Sequence, residues 1–331
     1  MEQVQPANRP PLTDAALSAD EVSIVPAPAM REERALFAIG LRLLAMGALA
    51  VMWATSKILG ARGVHLVEIV FYRQALALPI VFAWIAFTQG ARSVATKRIG
   101  AHLSRTVLGL IGLSLNFMSY ALLPLTEATT IGFTMPIFGT ILSALLLREA
   151  TGIHRWGAVL LGFAGVLVMV RPGGGHFLGL GVGIAVAAAV VTACISILLR
   201  AIGRTEGAGV TVFWFTLLSM PILAVAMPFY AQAHDGWTWV LIVLLGVSGG
   251  IGQLCLTGAL RWAPVSVVLP MDYSSIIWAT LLGWLVWGEW PMTTTWIGAA
   301  LIVASGLYIA WREHVRARSV RDLSRIAATA R

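Results

Sequence analysis

The chain has 331 residues, 58% of them hydrophobic and only 11% charged, and its mean hydropathy is +0.84. Soluble chains carry roughly 25% charged residues, so this composition excludes an ordinary soluble domain. The net charge of +8 and pI near 10.3 would suit nucleic acid. A membrane chain acquires the same excess from Lys and Arg in its cytoplasmic loops, so no nucleic-acid partner is expected.

Residues 1–35 hold prolines and acids without a continuous apolar core. They lack the basic start and apolar stretch of a cleaved signal peptide and read as a disordered cytoplasmic tail. Apolar blocks of about 20 residues follow, each long enough to cross a ~30 Å hydrocarbon core as helix. The expected spans are 36–57, 66–87, 102–123, 126–147, 154–171, 178–200, 209–231, 237–260, 264–287 and 293–311, with a basic cytoplasmic tail at 312–331. The fold class is therefore an all-α polytopic membrane protein embedded in a lipid bilayer. Its loops are too short to hold a soluble domain, so its chemistry belongs within the helices. Pro136 and Pro221 are expected to kink the fourth and seventh spans.

Ten spans put both termini on one side. With that side cytoplasmic, the inner segments hold Arg42, Arg92, Lys97, Arg98, Arg105, Arg148, Arg155, Arg200, Arg204 and Arg261, together with the arginines of both tails. The outer segments hold only Lys57, Arg62 and Arg171, and Arg73 remains inside the second span. The positive-inside rule then places both ends in the cytoplasm.

Two stretches repeat one pattern. PIFGTILSALLLREATGIHRWGAVLLGFAGVLVMV starts at Pro136, and IIWATLLGWLVWGEWPMTTTWIGAALIVASGLYIA starts at Ile276. Glu149 matches Glu289 and Trp156 matches Trp296; one further slip aligns Gly157 with Gly298 and Gly165 with Gly306. Each unit, 36–171 and 178–311, has five spans. An odd number makes the two halves enter the membrane in opposite directions, the inverted-repeat arrangement that supports alternating access.

These halves, the Arg-Glu and Gly-Glu turns at 148–149 and 288–289, and the Gly-rich fifth and tenth spans resemble the drug/metabolite transporter superfamily, in its ten-helix EamA branch. The resemblance covers roughly 36–311. It implies two inverted five-helix repeats, with helices one, three, four, six, eight and nine around a central cavity and five and ten at the periphery. MWATSKILGARGVHLVEIVFYRQ and MDYSSIIWATLLGWLVWGE are most similar to alphaproteobacterial members, which implies metabolites such as riboflavin or S-adenosylmethionine. The expected function is secondary-active transport of a small organic metabolite, an amino acid, vitamin or drug-like compound, across a bacterial inner membrane. Protons or a counter-substrate would couple it. The resemblance implies no cofactor.

Ionisable residues inside spans are costly and usually turned inward. One polar group lies in the outer half: Glu68 and Arg73 in the second span, Asn116 and Tyr120 in the third. Glu68 and Arg73 are five apart, about 140° around a helix, so they are not expected to pair with each other. Arg73 would meet the third helix or an anionic ligand group, or else hydrogen-bond carbonyls as a structural arginine. A second group lies in the inner half, where Gln253 and Asp272 fall at similar depth, ~10–12 Å from the cytoplasmic end. Tyr273, Ser274 and Ser275 add hydroxyls there, and Trp278 an aromatic wall. Within a few residues, Asn116 corresponds to Gln253 in the repeat, and Thr134 to Asp272. Asp272 is the expected substrate contact and proton-coupling residue; the competing reading has it capping a helix restarted after Pro270.

The remaining features read as structural. Glu149 and Glu289 end helices and face turns. The glycines at 157, 162, 165, 298 and 306 suit helix contacts, within the chain or in a homodimer seam. Trp53, Trp84, Trp237, Trp239, Trp287, Trp290 and Trp311 suit interfacial belts, and Cys194 and Cys255 suit packing. No metal-ligand spacing occurs. GVSGG (246–250) satisfies G-x-S-x-G, but the strand-turn-helix context and a nearby base for Ser248 are missing, so an enzyme is not expected. A channel would need a continuous polar stripe or filter, which the scattered polar residues do not supply.

Overall fold

Backbone in hydrocarbon must satisfy its own N–H and C=O groups, which leaves helix as the element for apolar blocks of this length. The computed structural model describes residues 28–146, 153–170, 179–203, 205–262 and 268–329, and among them it contains helices and no strand. In chain order these are α1 (Pro28–Ala61), α2 (Leu66–Gln89), α3 (Ile99–Leu122), α4 (Leu125–Gly132), α5 (Met135–Leu146), α6 (Ile153–Val170), α7 (Leu180–Ile202), α8 (Ala208–Tyr230), α9 (Gly236–Trp262), α10 (Ser274–Trp287) and α11 (Thr293–Thr329). Seven of them (α1, α2, α3, α7, α8, α9 and α11) are long and apolar enough to cross a membrane.

Three expected spans have another form. The fourth is broken: α4 ends at Gly132, Phe133 and Thr134 turn, and α5 restarts at Met135. The break thus precedes Pro136, the second residue of α5, where a missing N–H leaves no hydrogen bond unmade. At the break the Ile131 carbonyl accepts both the Thr134 N–H, at 2.9 Å, and the Thr134 hydroxyl, at 2.6 Å. The fifth span is α6, whose apolar run Trp156–Met169 is short. In the ninth, a 3₁₀ turn at Leu269–Tyr273 leads into the 14-residue α10, with Pro270 at its start. Pro221 lies inside α8, which continues through it. At the ends, α1 already includes residues 28–35, and α11 runs past Trp311 through a stretch free of Gly and Pro. Residues 1–27 and the turn carrying Arg148 and Glu149 lie outside the described residues.

Glycines set the closest helix contacts. A Cβ on Gly246 or Gly250 of α9 would fall at or under 3.0 Å from Leu76 or Ile80 of α2, and one on Gly249 or Gly252 would meet Met52 or Leu49 of α1. α9 is thereby drawn against both helices. Likewise Gly165 of α6 and Gly298 of α11 pack backbone to backbone, a Cβ on either lying 2.9 or 2.6 Å from the other's carbonyl oxygen.

Candidate functional site

One face of α1 organises the site. Arg42, Met46, Leu49, Ala50, Trp53 and Lys57 recur at helical spacing. The middle four line a cavity of about 900 Å³ bounded also by α3, α4, α5, α7, the 269–273 turn, α10 and α11. Arg42 and Lys57 stand about 22 Å apart along the axis, at 1.5 Å per residue. Each binds a carboxylate flanking α10, Asp272 before it and Glu289 after it.

Near the N-terminal end of this face, Arg42 takes Asp272 in a fork. Nε reaches Oδ1 at 2.5 Å and Nη2 reaches Oδ2 at 2.7 Å, while Nη1 donates to the Leu256 carbonyl of α9 at 3.0 Å. Paired planar groups of this kind give the strongest charge-assisted hydrogen bonds. Asp272 lines the cavity. Its carboxylate faces a guanidinium, and no side-chain cap closes the start of α10.

Near the other end, Lys57 Nζ binds Glu289 at 3.3 and 3.4 Å and the Leu123 carbonyl at 3.1 Å, and lies 4.8 Å from the centre of the Trp287 ring. Beneath it Trp53 stacks on Tyr120, centroids 4.6 Å apart, and the Tyr120 hydroxyl meets Thr129 at 3.2 Å. Ala54, Leu125, Ala128 and Ala279 pack around this pair. The cavity runs from these rings, past Asp272, to Arg200 and Trp311 at the ends of the α7 and α11 faces.

Of the residues expected at the site, the cavity brings together Tyr120, Asp272, Tyr273 and Ser275. Tyr273 packs on Phe133 (4.7 Å between centroids), and its hydroxyl lies where a Cβ on Gly306 would come within 2.5 Å. Gly306 is thus the space for Tyr273 rather than a helix seam. The others lie outside the lining. Asn116 donates to the Gly112 carbonyl of its own helix at 2.8 Å, and Thr134 is spent on Ile131. Trp278 packs on Gly47 of α1. Gln253 is on α9, one turn from Leu256, and makes no side-chain hydrogen bond to Asp272. Arg73 is buried behind α1 and donates to Gln74. Glu68 turns to His234 at 2.6 Å, not to Arg73.

The cavity wall also departs from the arrangement the resemblance implied. α11, expected as the tenth span, contributes Gly306, Leu307 and Trp311, whereas no described residue of α9, expected as the eighth, lines it. The cause is the glycine face of α9, which is used against α1 and α2. Four other residues escaped the sequence reading. Arg42 and Arg105 were absorbed into the count of inner charges, Lys57 into that of outer charges, and Trp53 into the aromatic belt. Position inside a span was the available signal for all four.

Outside the spans, two carboxylates brace loops. Burial acts to raise the Glu206 carboxyl, but hydrogen bonds from Thr96 and His102 and the charges of His102 and Arg98 outweigh it and hold it below its ordinary value. Asp235 is likewise held low, by Thr238 hydrogen bonds and Arg62. Ser248 is buried in continuous α9, its hydroxyl directed to the Leu245 carbonyl at 3.3 Å, without a nucleophile-elbow context. Cys194 and Cys255 are free thiols, and no metal cluster occurs among the described residues.

The profile of the EamA-like transporter family matches this chain twice, over residues 36–171 and 178–311. The riboflavin transporter of Vibrio cholerae serotype O1 is 29% identical, over 79% of this chain and 88% of that protein. The S-adenosylmethionine uptake transporter of Rickettsia felis is 24% identical, over 84% and 94%, and the pseudopaline exporter CntI of Pseudomonas aeruginosa 27%, over 72% and 84%. A solved crystal structure superposes with a TM-score of 0.55 at 21% identity, over 84% of this chain and 96% of its own, a likeness of fold alone. A cavity built from both matched segments, inside a bundle of apolar helices, accords with these similarities: the chain is a multi-pass membrane protein of the EamA-like transporter family, a carrier of small metabolites and not an enzyme.

Proposed function

We propose that this protein carries a small metabolite with a planar ring across a bacterial inner membrane, by alternating access between two inverted five-span halves. In this reading α4 and α5 together form the fourth span, α6 the fifth, and the 269–273 turn with α10 the ninth. Both termini are cytoplasmic, so the Arg200–Trp311 end of the cavity faces the cytoplasm and Lys57–Glu289 seals the outer end. The observation that carries it is the cavity itself, which draws its walls from both family-matched segments and holds the Arg42–Asp272 pair and the Trp53–Tyr120 stack.

Asp272 is the coupling residue of this scheme. Arg42 and a proton are alternatives for the same carboxylate oxygens, so protonation would free Arg42 and release α1 from the ninth span. Tyr273, Ser275 and Thr129 offer hydroxyls to polar groups of the substrate, and the Trp53 and Tyr120 rings offer a face to a heteroaromatic system such as those of riboflavin or S-adenosylmethionine. Counterflow in proteoliposomes tests the assignment. Saturable exchange of a labelled metabolite supports the carrier, whereas conductance without saturation would replace it with a channel. Thermal stabilisation across a metabolite set identifies the substrate, because a ligand bound only by the folded state raises its stability.

A further inference from the structure

Behind α1, away from the central cavity, one buried and one partly buried cation lack a counter-charge. Arg73 of α2 is 5% exposed; one terminal nitrogen donates to Gln74, whose amide donates to Ser219 of α8 at 2.8 Å, but Nε has no hydrogen-bond partner. Arg105 of α3 lies 4.2 Å from the Phe215 ring of α8, and its Nε and Nη1 are also buried without partners. Phe215 and Ser219 are one turn apart, so Arg105 and the Gln74 that Arg73 binds meet adjacent turns of the same helix. There their like charges repel.

Neither arginine forms an ion pair with a described carboxylate. Glu68 is engaged by His234, Glu206 by His102 and Asp272 by Arg42. Backbone makes room for both cations. A Cβ on Gly109 would overlap the Arg105 guanidinium and the Phe215 ring, and one on Gly249 would stand 3.4 Å from Arg73 Nε. Buried charge is retained when a partner and hydrogen bonds compensate its desolvation. Here Arg73 donates to a neutral amide, Arg105 faces an aromatic ring, and donors remain unused on both guanidiniums.

We propose that Arg73 and Arg105 form an oxyanion site between α2, α3 and α8, separate from the transport cavity, that takes a phosphate-type group. Such a group supplies negative charge for two cations and several acceptor oxygens for the free N–H donors, which is the chemistry a guanidinium fork recognises. It comes either from dissolved phosphate or from the headgroup of an anionic lipid.

The purified protein, exchanged into phosphate-free chloride buffer, distinguishes these sources. One arm titrates inorganic phosphate in neutral detergent. The other compares phosphatidylcholine nanodiscs with and without phosphatidylglycerol. Saturable binding at a hundredfold excess over Kd raises the apparent Tm by about 5 °C in the arm holding the true ligand. Arg105→Met and Arg73→Met, each removing one uncompensated cation, should match or exceed the wild type without anion and lose the rise. Native mass spectrometry of the wild type, which needs no variant, should retain one phosphate or one phosphatidylglycerol. No rise in either arm, an equal rise in both variants, or a wild type that carries neither species overturns the site. Because no transport is measured, failure here leaves the carrier assignment untouched.

Discussion

The two ends of the α1 cavity face hold the segments flanking α10 in different ways. At one end a rigid guanidinium grips Asp272 through two hydrogen bonds of 2.5 and 2.7 Å, and the side chains are 6% and 25% exposed. At the other, a single ammonium shares two carboxylate oxygens of Glu289 at 3.3 and 3.4 Å, a backbone carbonyl and a Trp face, with exposures of 12% and 36%. The first is directional and enclosed, the second diffuse and wetter. The same helix thus carries a strong contact within the cavity wall and a weaker one at its edge, and the weaker one opens at lower cost.

Asp272→Asn attacks the strong end and should have the largest effect. It leaves the buried Arg42 without its counter-charge, at a cost of about 3 kcal/mol, and lowers uptake into proteoliposomes by about 100-fold, roughly 2.7 kcal/mol of barrier. Adding Arg42→Gln should recover most of the thermal stability but not the uptake. Recovery of both, with an unchanged pH dependence, would make the pair structural only. Next comes the wall beside it. Gly306→Ala drives a methyl into the Tyr273 hydroxyl and should cost about 2 kcal/mol as overpacking. Tyr273→Phe in the same chain removes the clashing oxygen, and its failure to restore Tm would mean that the glycine serves another contact.

Lys57→Met tests the weak end. A loss of about 1 kcal/mol is expected from a partly exposed pair, with a change in transport rate larger than any change in apparent affinity. A stability loss as large as that of Asp272→Asn would erase the contrast between the two ends. The smallest effect lies outside the membrane. Because Glu206 is held below its unfolded value of roughly 4.3, its contribution is complete above that pH and disappears as pH falls through the lowered value. The Tm gap between wild type and Glu206→Gln should therefore stay constant from pH 7 to about 5 and narrow below about 4. A gap that widened on acidification would show that the carboxylate is not favoured by Thr96 and His102.

Much of the molecule was legible before any coordinate. Runs of apolar residues mark helices because hydrocarbon forbids unsatisfied backbone, and the matched Glu149/Glu289 and Trp156/Trp296 turns expose the duplication. Asp272 stood out through its cost in such surroundings. Its partner did not: Arg42 lies 230 residues away, and a tally of basic residues treats an arginine inside a helix like one in a loop. Arg105 was hidden by the same tally. Trp53 was hidden by its place near the expected end of the first span, whereas α1 runs on to Ala61.

By itself, then, the sequence determined the element type, the apolar blocks, the two related halves and the presence of a costly carboxylate, because these follow from local composition and spacing. Only the tertiary structure decided which face of α1 looks inward. It also decided that the glycines of α9 close that helix against α1 and α2 while α11 takes a place in the cavity wall. Those outcomes depend on the rotation and close approach of whole helices, which glycine-sized gaps and ion pairs between distant segments determine and linear spacing does not encode.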